Sequence, residues 1–330
     1  MQAFWVRDMR RRDFIGLIGG AATAWPLSAY GQSSGKILRV ATANVNPRGA
    51  PQWASFLQRL AELGYKEGEN LVFDHLQISS TDAWLAGYRE VVARKPDVLV
   101  AAGPEISLKA AVASTDSLPI VMIAVDYNPL AKGYVKSLSS PAGNISGVYL
   151  QGVELVGKRL QLLKQAFPDV TALTVLWDQS SIDYWDAIRP MASQLALKLT
   201  GVELSARPYD YDRAVGSPQA GSFLYAVGSP FFFLDRALLA EFAIRNRLLS
   251  MSDLRESVVA GNLISYGPPL PAMFILAANY VDRIAKGAKA ADLPVEQPTK
   301  FELTVNLRTA KAIGIDLPAT LLARADEAIE

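Results

Sequence analysis

The 330-residue chain contains no cysteine and only one histidine, His75. Without cysteine it cannot form a disulfide, a catalytic thiol, a cysteine-ligated zinc site or an iron–sulfur cluster. A metal site built from several histidines is excluded as well, and a Ser-His-Asp triad would have to use His75. Hydrolysis by carboxylates or by a Ser/Lys pair is left open. The composition therefore predicts no metal site and removes most catalytic classes.

An excess of charge of one sign is also missing. The chain carries 33 lysines and arginines against 32 aspartates and glutamates, a formal net charge of +1. A broad nucleic-acid surface normally needs a clear basic excess, so we expect no nucleic-acid partner. Hydrophobic residues make up 50% of the chain. A chain of this length and composition is expected to bury a large core, in two domains or one large α/β unit.

The N-terminus has the pattern of an export signal. Three arginines, Arg10 to Arg12, precede an apolar stretch at 14–25 that is rich in glycine and alanine. A charged segment before an apolar one is typical of secretory signals. Adjacent arginines are typical of the class that the twin-arginine export machinery recognises. We therefore interpret residues 1–31 as a twin-arginine-type signal peptide.

Small residues define where this signal ends. Ala29 and Gly31 predict cleavage after Gly31, whether translation starts at Met1 or at Met9. The segment that is lost carries four arginines and two aspartates, which changes the formal charge from +1 to −1. An uncleaved membrane anchor is disfavoured, because the stretch contains Pro26 and is shorter than the ~20 apolar residues that span a bilayer. With no cysteine to accept a lipid, we expect a periplasmic protein that is not lipidated.

From residue 36 onward, apolar segments typical of strands alternate with segments of helical period. In the first half, strands are predicted at 37–43, 71–77, 98–102, 120–125 and 145–150, with helices after Pro51, after Thr81 and at 105–115. In the second half, strands are predicted at 172–177, 202–206, 222–227, 248–251, 263–266 and 300–306, with helices at 154–166, 181–199, 235–247, 272–286 and 308–313. This alternation predicts an α/β fold of two doubly wound halves with parallel sheets, about 120 residues each.

Known catalytic and nucleotide-binding motifs are not matched. Gly157 lies in a predicted helix without the flanking residues of a phosphate loop, and the single Gly103 is not a dinucleotide fingerprint. His75 falls in the middle of a predicted strand, so a structural role is favoured. No G-x-S-x-G turn follows any strand. We expect no cofactor and no catalytic residue.

Polar and aromatic residues are instead concentrated near predicted strand ends, where an open α/β sheet binds its ligands. Each aromatic residue taken singly fits a core position. Several of them around one crevice would form walls for a planar or apolar ligand, with polar groups fixing its orientation. The predicted binding residues are Asn44, Asn46, Gly103, Pro104, Glu105, Asp126, Tyr127, Tyr149, Asp178, Tyr184, Ser229, Phe231, Asp253 and Tyr266.

A set of segments spread along the chain carries a family resemblance. They are Arg10–Ile15, Gly19–Ala22, Trp25–Leu27, Leu63–Tyr65, Glu67–Asn70, Ser140–Val148, Leu263–Gly267 and Leu293–Leu303, and the tail at 310–327 continues them. Together they resemble the family of ABC-transporter substrate-binding proteins that includes tryptophan- and tyrosine-binding members. The resemblance covers essentially the whole chain. It is specific for the family and not for the ligand.

The resemblance implies a type I periplasmic binding fold, in which two doubly wound Rossmann-like lobes are joined by a three-strand hinge. The crossings are expected near 148–151, 266–269 and 298–301. Lobe 1 would then comprise 36–149 with 268–298, and lobe 2 would comprise 150–267 with 299–330. The implied function is that of a monomeric, non-enzymatic receptor, which closes on a small-molecule solute and delivers it to the permease transmembrane subunits of an ABC importer.

Two positions depart from the family pattern. Between the strands predicted at 202–206 and 222–227 the family normally has a full helix, whereas Pro208–Gly221 is only a short segment rich in Tyr, Asp, Gly and Pro. Asp178 stands where an asparagine is common. The second departure leaves the charge of the ligand open.

An amino acid or an aromatic carboxylate is the favoured ligand. Its carboxylate would bind at the helix N-terminus near Gly103 or Ser180, and its ammonium group would bind Asp126 or Asp178. Tyr149 or Phe231 would contact its ring. Two alternatives are open: a receptor that reports ligand binding to a membrane signalling protein, and a periplasmic enzyme that uses two strand-end carboxylates.

Overall fold

The structure, a computed structural model, describes residues 37–330. The predicted signal peptide at 1–31 lies outside the described residues. The described part of the chain contains two β-sheets, one of five strands and one of seven, each packed between helices. The predicted α/β fold class, with two doubly wound lobes, is confirmed.

The first sheet consists of β1 (Leu38–Asn44), β2 (Leu71–Gln77), β3 (Val98–Gly103), β4 (Ile120–Ala124) and β5 (Ile145–Tyr149). The strands are all parallel and lie in the order β2-β1-β3-β4-β5. They are flanked by helices α1 (Pro51–Glu62), α2 (Ala83–Ala93), α3 (Glu105–Val112) and α10 (Leu270–Ala285). Because helices cover both faces, β3, β4 and β5 are apolar and buried almost throughout.

The second sheet consists of β6 (Ala172–Trp177), β7 (Lys198–Glu203), β8 (Phe223–Ala226), β9 (Leu249–Ser252), β10 (Ile264–Gly267), β11 (Glu302–Asn306) and β12 (Glu327–Ile329). Their order is β12-β11-β10-β9-β8-β6-β7, and all neighbours are parallel except β10 and β11. Its helices are α4 (Val156–Ala166), α5 (Ile182–Gln194), α6 (Tyr211–Val215), α7 (Pro230–Leu234), α8 (Arg236–Arg245), α9 (Arg255–Val259), α11 (Leu307–Ile313) and α12 (Ala319–Leu322).

Helix α1 illustrates how the sequence pattern forms the structure. Pro51 occupies its first turn, where a missing backbone N–H costs nothing. Trp53, Phe56 and Leu60 recur at spacings of three and four and are fully buried. Gly64 follows the helix with a φ of +97°, a conformation that glycine adopts readily. The predicted helix after Pro51 is confirmed.

The chain passes between the two sheets three times. It leaves the first sheet after β5 and enters the second through α4 and β6. After β10 it returns to the first sheet, where α10 packs against α1. The segment before β11 pairs with β5 through a bridge between Val148 and Glu296 and then rejoins the second sheet. These passages bring the carboxyl ends of both sets of parallel strands toward one region.

Several predicted boundaries in the second sheet are wrong. The helix predicted at 181–199 ends at Gln194, because the chain turns at Ala196 (φ +52°) and β7 begins at Lys198. Leu197 and Leu199 pack against the core with the period of a strand rather than a helix. The segment Pro208–Gly221 does contain a helix, the single turn α6.

Other differences are smaller. The helix predicted at 235–247 is preceded by a separate one-turn helix, α7, which begins at Pro230 with the Ser229 side chain as its N-cap. Helix α9 and strand β12 were not predicted; they are too short for a clear periodic pattern. Within residues 37–330, no helix has the length and apolar character needed to cross a membrane.

Candidate ligand-binding site

A cavity of about 90 Å³ lies where the carboxyl ends of both sets of parallel strands meet. The first sheet contributes the last residues of β1 and β3 and the residues after β4, and the second sheet contributes the ends of β8 and β9. This is the position in which open α/β sheets bind ligands. Its walls are Asn44, Asn46, Gln52, Ala102, Gly103, Pro104, Val125, Asp126, Ala226, Val227, Gly228, Ser229, Pro230, Phe232, Phe233, Leu239, Ser252, Asp253, Leu254, Ser257, Asn262, Leu270 and Phe274.

Half of the residues predicted from the sequence line this cavity and half do not. Those on the cavity wall are Asn44, Asn46, Gly103, Pro104, Asp126, Ser229 and Asp253. Those outside the lining are Glu105, Tyr127, Tyr149, Asp178, Tyr184, Phe231 and Tyr266. Three residues outside the lining nevertheless hydrogen-bond to residues on the wall: Glu105 to Asp126, Asp178 to Ser229, and Tyr184 to Asp253.

Asp126 has an unusual environment. It lies just after β4, only 2% exposed, and its Oδ1 accepts a hydrogen bond of 3.1 Å from the backbone N–H of Glu105 at the start of α3. Its Oδ2 is buried and has no hydrogen-bond partner among residues 37–330. Burial, and after it the charges of Asp178 and Asp183, raise the pKa of Asp126 well above its ordinary value of 3.8. The carboxyl group therefore has an unused acceptor beside the cavity.

Asp178, on the opposite side, is fully hydrogen-bonded. Its Oδ1 accepts bonds from the Ser180 N–H (3.0 Å), the Ser180 hydroxyl (2.6 Å) and the Ser181 hydroxyl (3.1 Å). Its Oδ2 accepts bonds from the hydroxyls of Ser229 (2.5 Å) and Tyr209 (3.2 Å). Asp178 thus caps the turn that leads into α5 and fixes Ser229 at the cavity wall.

Asp253 belongs to a buried network centred on Arg159. Its carboxylate accepts hydrogen bonds from Tyr184 and, at 2.6 Å, from Tyr225, and it lies 3.3 Å from the Arg159 guanidinium. Arg159 also donates to the backbone carbonyls of Tyr266 and Gly152, both at 2.7 Å. All of these polar side chains are buried. The charge of Asp253 is compensated within the protein, unlike that of Asp126.

Side chains from the two halves of the molecule also meet in a polar cluster formed by Glu105, Lys132 and Asp183. The Lys132 ammonium group lies 2.9 Å from Asp183 at the start of α5 and 3.1 Å from Glu105 at the start of α3. Burial alone would raise the pKa of Glu105, but hydrogen bonds from Lys109, Tyr134 and Lys132 hold it below the ordinary value. Lys132 therefore links the two halves of the molecule.

The remaining wall is largely apolar, with a few amide groups. Phe232 and Phe233 come from α7, and Phe274 comes from α10. The Asn44 side chain donates to the carbonyl of Ala102 (2.9 Å) and accepts from the N–H of Asn46 (2.9 Å), so its orientation is fixed. Such a wall suits a ligand with an apolar body and a small number of polar groups.

Tyr149 and Phe231, the two residues predicted to contact a ligand ring, both lie outside the cavity wall. Phe231 is buried against the core of the first sheet, with the Arg207 guanidinium 4.8 Å from the centre of its ring. Its two neighbours, Phe232 and Phe233, line the cavity instead. Tyr149 donates its hydroxyl proton to Glu154 and lies outside the cavity wall.

His75 lies within β2, outside the cavity wall. Its ring packs edge-on against Trp53, with ring centres 5.4 Å apart. Burial lowers the pKa of His75 to about 4. Residues 37–330 contain no cluster of three or more potential metal ligands.

Gln52 and Phe274 are cavity residues that sequence reasoning missed. Gln52 follows Pro51 in the first turn of α1 and is only 3% exposed. A polar residue on the buried side of a predicted helix was the available signal. Leu270 and Phe274 lie four residues apart on one face of α10, but that spacing fits an ordinary core face equally well.

Two sheets of mainly parallel strands, whose carboxyl ends enclose one cavity, define a bilobal binding protein with the type I periplasmic binding fold. The model of the ABC transporter substrate binding protein family matches residues 52–207 and 241–329, and the chain belongs to this family. Its members and fold neighbours are solute-binding proteins rather than enzymes.

Individual relatives agree with this assignment. A tyrosine-binding protein of Clostridioides difficile is 25% identical over 269 residues, which are 79% of this chain and 75% of that protein. A conserved domain protein of Vibrio cholerae has a similar structure, with a TM-score of 0.79 at 24% identity over 89% of this chain and 100% of that one. An ABC domain of Streptococcus pneumoniae in complex with L-Trp gives a TM-score of 0.75 at 18% identity over 88% and 99%.

Proposed function

We propose that this protein captures a small amine-containing solute, such as an amino acid, between its two lobes and delivers it to the permease of an ABC importer. The observation that carries the proposal is that Asp126 lines the cavity while its buried Oδ2 atom has no hydrogen-bond partner among residues 37–330. A buried carboxylate without a compensating group is costly. The ammonium group of a solute has three donors and a positive charge, and would compensate it.

The apolar walls and the relatives support an aromatic body for this solute. Phe232, Phe233 and Phe274 offer ring surfaces close to Asp126 in the same cavity. The relatives named above are a tyrosine-binding protein and a domain bound to L-Trp. We therefore propose an aromatic amine or aromatic amino acid as the first solutes to test.

We further propose that binding closes the two lobes about the three passages between the sheets. Lobe 1 would comprise 36–149 with 268–298, and lobe 2 would comprise 150–267 with 299–330. A solute that contacts both strand-end sets stabilises the closed arrangement by its differential affinity for it. Lys132 would add an ionic contact across the closed cleft.

The cellular setting is a proposal of the same kind. Family membership supports a place outside the cytoplasm and a permease partner. Export by the twin-arginine machinery, cleavage near Gly31 and a monomeric, unlipidated product are proposed from the sequence alone. N-terminal sequencing of the protein from a periplasmic extract tests export and cleavage near Gly31, and an N-terminus at Met1 or Met9 would contradict both.

The ligand is tested by titration of the purified protein with a library of amino acids, amines and carboxylic acids. Trp53 packs against Phe274, with ring centres 4.8 Å apart, so its fluorescence should report on cavity occupation. We expect amine-containing solutes to change the fluorescence and raise the melting temperature. Binding only of solutes without an amino group, or turnover of a solute, would contradict the proposal.

Closure is tested separately. Because the chain has no cysteine, Ser80→Cys and Ser205→Cys introduce two unique label sites, one in each proposed lobe. Both positions are exposed and follow the edge strands β2 and β7. We expect the distance between spin labels to shorten or its distribution to narrow when a solute binds. An unchanged distribution at saturating solute would exclude hinge closure.

A further inference from the structure

The charged side chains that line the cavity, Asp126 and Asp253, are both acidic, which disfavours a ligand carboxylate. Two helix N-termini were candidates, because their free N–H groups attract anions. At the start of α3, the backbone N–H of Glu105 already binds Oδ1 of Asp126. At the turn before α5, the N–H and hydroxyl of Ser180 already bind Oδ1 of Asp178. Both ends are occupied by carboxylates of the protein itself.

Cationic side chains offer no alternative. No lysine or arginine of residues 37–330 lines the cavity. Cations that contact wall residues or their neighbours have partners of their own. Arg159 binds Asp253 and two backbone carbonyls, Lys132 binds Asp183 and Glu105, and Arg207 binds Asp235 at 3.1 Å. Arg236 lies 4.7 Å from the ring centre of Phe233 and donates to the Phe233 carbonyl at 2.7 Å. A ligand carboxylate would therefore lie near negative charges without a compensating positive one.

The neutral donors at the wall are also partly used. Ser229 donates its only hydroxyl proton to Asp178, at 2.5 Å. Asn44 uses one amide hydrogen for the carbonyl of Ala102. Asp126, by contrast, is a lining residue whose Oδ2 has no hydrogen-bond partner among residues 37–330, and an ammonium group would supply one. The two charged side chains of the wall, Asp126 and Asp253, are both acidic, so the wall favours a positive charge over a negative one.

We infer that the site is selective for monocationic amines with an apolar body, and that a carboxylate on the same solute adds nothing to its affinity or weakens it. This inference rests on the proposed function and deepens it, since it separates the ammonium group from the rest of an amino acid. In a closed, poorly hydrated cavity, a carboxylate loses its water and interacts unfavourably with Asp126. A primary amine has no such cost.

Two matched series of ligands test this inference by isothermal titration calorimetry on the purified full chain. The indole series is tryptamine, L-tryptophan amide, L-tryptophan and indole-3-propionate, and the aliphatic series is isoamylamine, L-leucine and 4-methylpentanoate. Within the better series, we expect the amine to bind as tightly as the amino acid or more tightly. The carboxylic acid, which has no ammonium group, should not bind.

The outcomes separate the two proposals. An amino acid that binds about tenfold or more tightly than its amine would show that the carboxylate is recognised, which overturns the inference and leaves the proposed function intact. Failure of every amine and amino acid of both series to bind would overturn both. Binding of only the carboxylic acids would also overturn both.

Two variants test whether Asp126 is the group that binds the ammonium group of the ligand. Asp126→Asn keeps the Oδ1 acceptor for Glu105 and removes the charge, so the amine should lose at least about tenfold in affinity. Asp116→Asn is the matched control, because Asp116 is exposed on the loop before β4, and should bind like the unchanged protein. Equal amine affinity in both variants would overturn the inference.

Discussion

Asp126 is a buried carboxylate without a cationic partner among residues 37–330. A charge in this position costs folding free energy, and the usual remedies are a paired cation or a full set of hydrogen bonds. Asp178 and Asp253 have one or both of these remedies, whereas Oδ2 of Asp126 has neither among residues 37–330. A group kept at a cost to stability is expected to have a role in function.

Removal of this charge should therefore stabilise the empty protein. The pKa of Asp126 is raised above 3.8 by burial and by Asp178, so the folded protein keeps this proton at pH values where the unfolded chain has lost it. As the pH rises from 3.8 toward the raised pKa, the unchanged protein loses stability relative to Asp126→Asn. At pH 7 we expect the variant to melt at least about 2 °C higher by circular dichroism. At a pH of about 4 the difference should vanish.

The control for this measurement is again Asp116→Asn. It removes one exposed carboxylate and should shift the melting temperature by no more than about 1 °C at either pH. If Asp126→Asn melts below the unchanged protein at pH 7, the carboxylate has a stabilising partner and our account of its cost is wrong.

At the residue scale, the sequence predicted positions at strand ends better than it predicted which side chain points into the cavity. Asn44, Gly103 and Asp126 end or follow parallel strands, and the strand pattern alone indicated them. The sequence could not show whether Phe231 or Phe232 faces the cavity. Three consecutive positions of this one-turn helix are phenylalanine, so no apolar pattern distinguishes its sides. The orientation of the helix is set by its Ser229 N-cap and by the packing of Phe231 against the first sheet.

At the scale of elements, Arg159 on α4 holds together two of the three passages between the sheets. It binds the carbonyl of Gly152 after β5 and the carbonyl of Tyr266 in β10, and it pairs with Asp253 after β9. The chain comes close at these points only because glycines are present. A Cβ at Gly152 would lie 2.1 Å from the Tyr184 hydroxyl oxygen, and one at Gly267 would lie 2.0 Å from the Asp253 carbonyl oxygen.

Replacement of Arg159 should be strongly destabilising. Arg159→Met keeps much of the side-chain volume but leaves the buried Asp253 without its cation, for which about 3–5 kcal/mol is the usual cost. Urea denaturation measures this free energy. Arg255→Met is the matched control, because its partner Glu327 is exposed, and it should cost less than about 1 kcal/mol. Equal losses in both variants would mean that the Arg159 network does not stabilise the passages.

Strand β5 contains a second position with a strict requirement. Gly147 has a φ of +134°, and a Cβ there would lie 2.1 Å from the carbonyl oxygen of Met122 in β4. We expect Gly147→Ala to cost at least about 3 kcal/mol in urea denaturation. Gly143→Ala, also at positive φ but with open space around it, should cost only about 1–2 kcal/mol. A smaller loss for Gly147 than for Gly143 would contradict the close strand approach.

The elements themselves were largely predictable, and their tertiary contacts were not. The long helices α1 and α10 have clear apolar periods, and the buried strand β3 is a continuous apolar run. A lone cation in an amphipathic helix pattern is normally solvated, so the sequence gives no reason to place Arg159 in the core. Its burial depends on Asp253 and on the carbonyl of Tyr266, which lies 107 residues further along the chain, and no local pattern encodes these contacts.

At the scale of the whole molecule, one ionic contact among residues 37–330, between Lys132 and Asp183, joins the two proposed lobes in addition to the chain. Lys132 lies between Asp183 and Glu105, with its side chain only 33% exposed. Ion pairs that form on closure mainly slow the release of a ligand, and salt screens them when they remain accessible to solvent.

We therefore expect Lys132→Met to accelerate solute dissociation by about three- to tenfold in stopped-flow fluorescence, with a smaller effect on association. High salt should reduce the difference from the unchanged protein. Lys66→Met, which removes an exposed lysine paired with Glu69 outside the cleft, is the control and should leave both rates unchanged. Unchanged dissociation in Lys132→Met would mean that this contact is present in the open protein as well.

The most direct test of the central claim is a crystal structure of the protein with the tightest-binding amine from the two ligand series. Our account predicts that the amine nitrogen lies within about 3 Å of Oδ2 of Asp126, with its apolar body against Phe232 and Phe274. A nitrogen bound elsewhere, with Oδ2 of Asp126 still unpartnered, would contradict it.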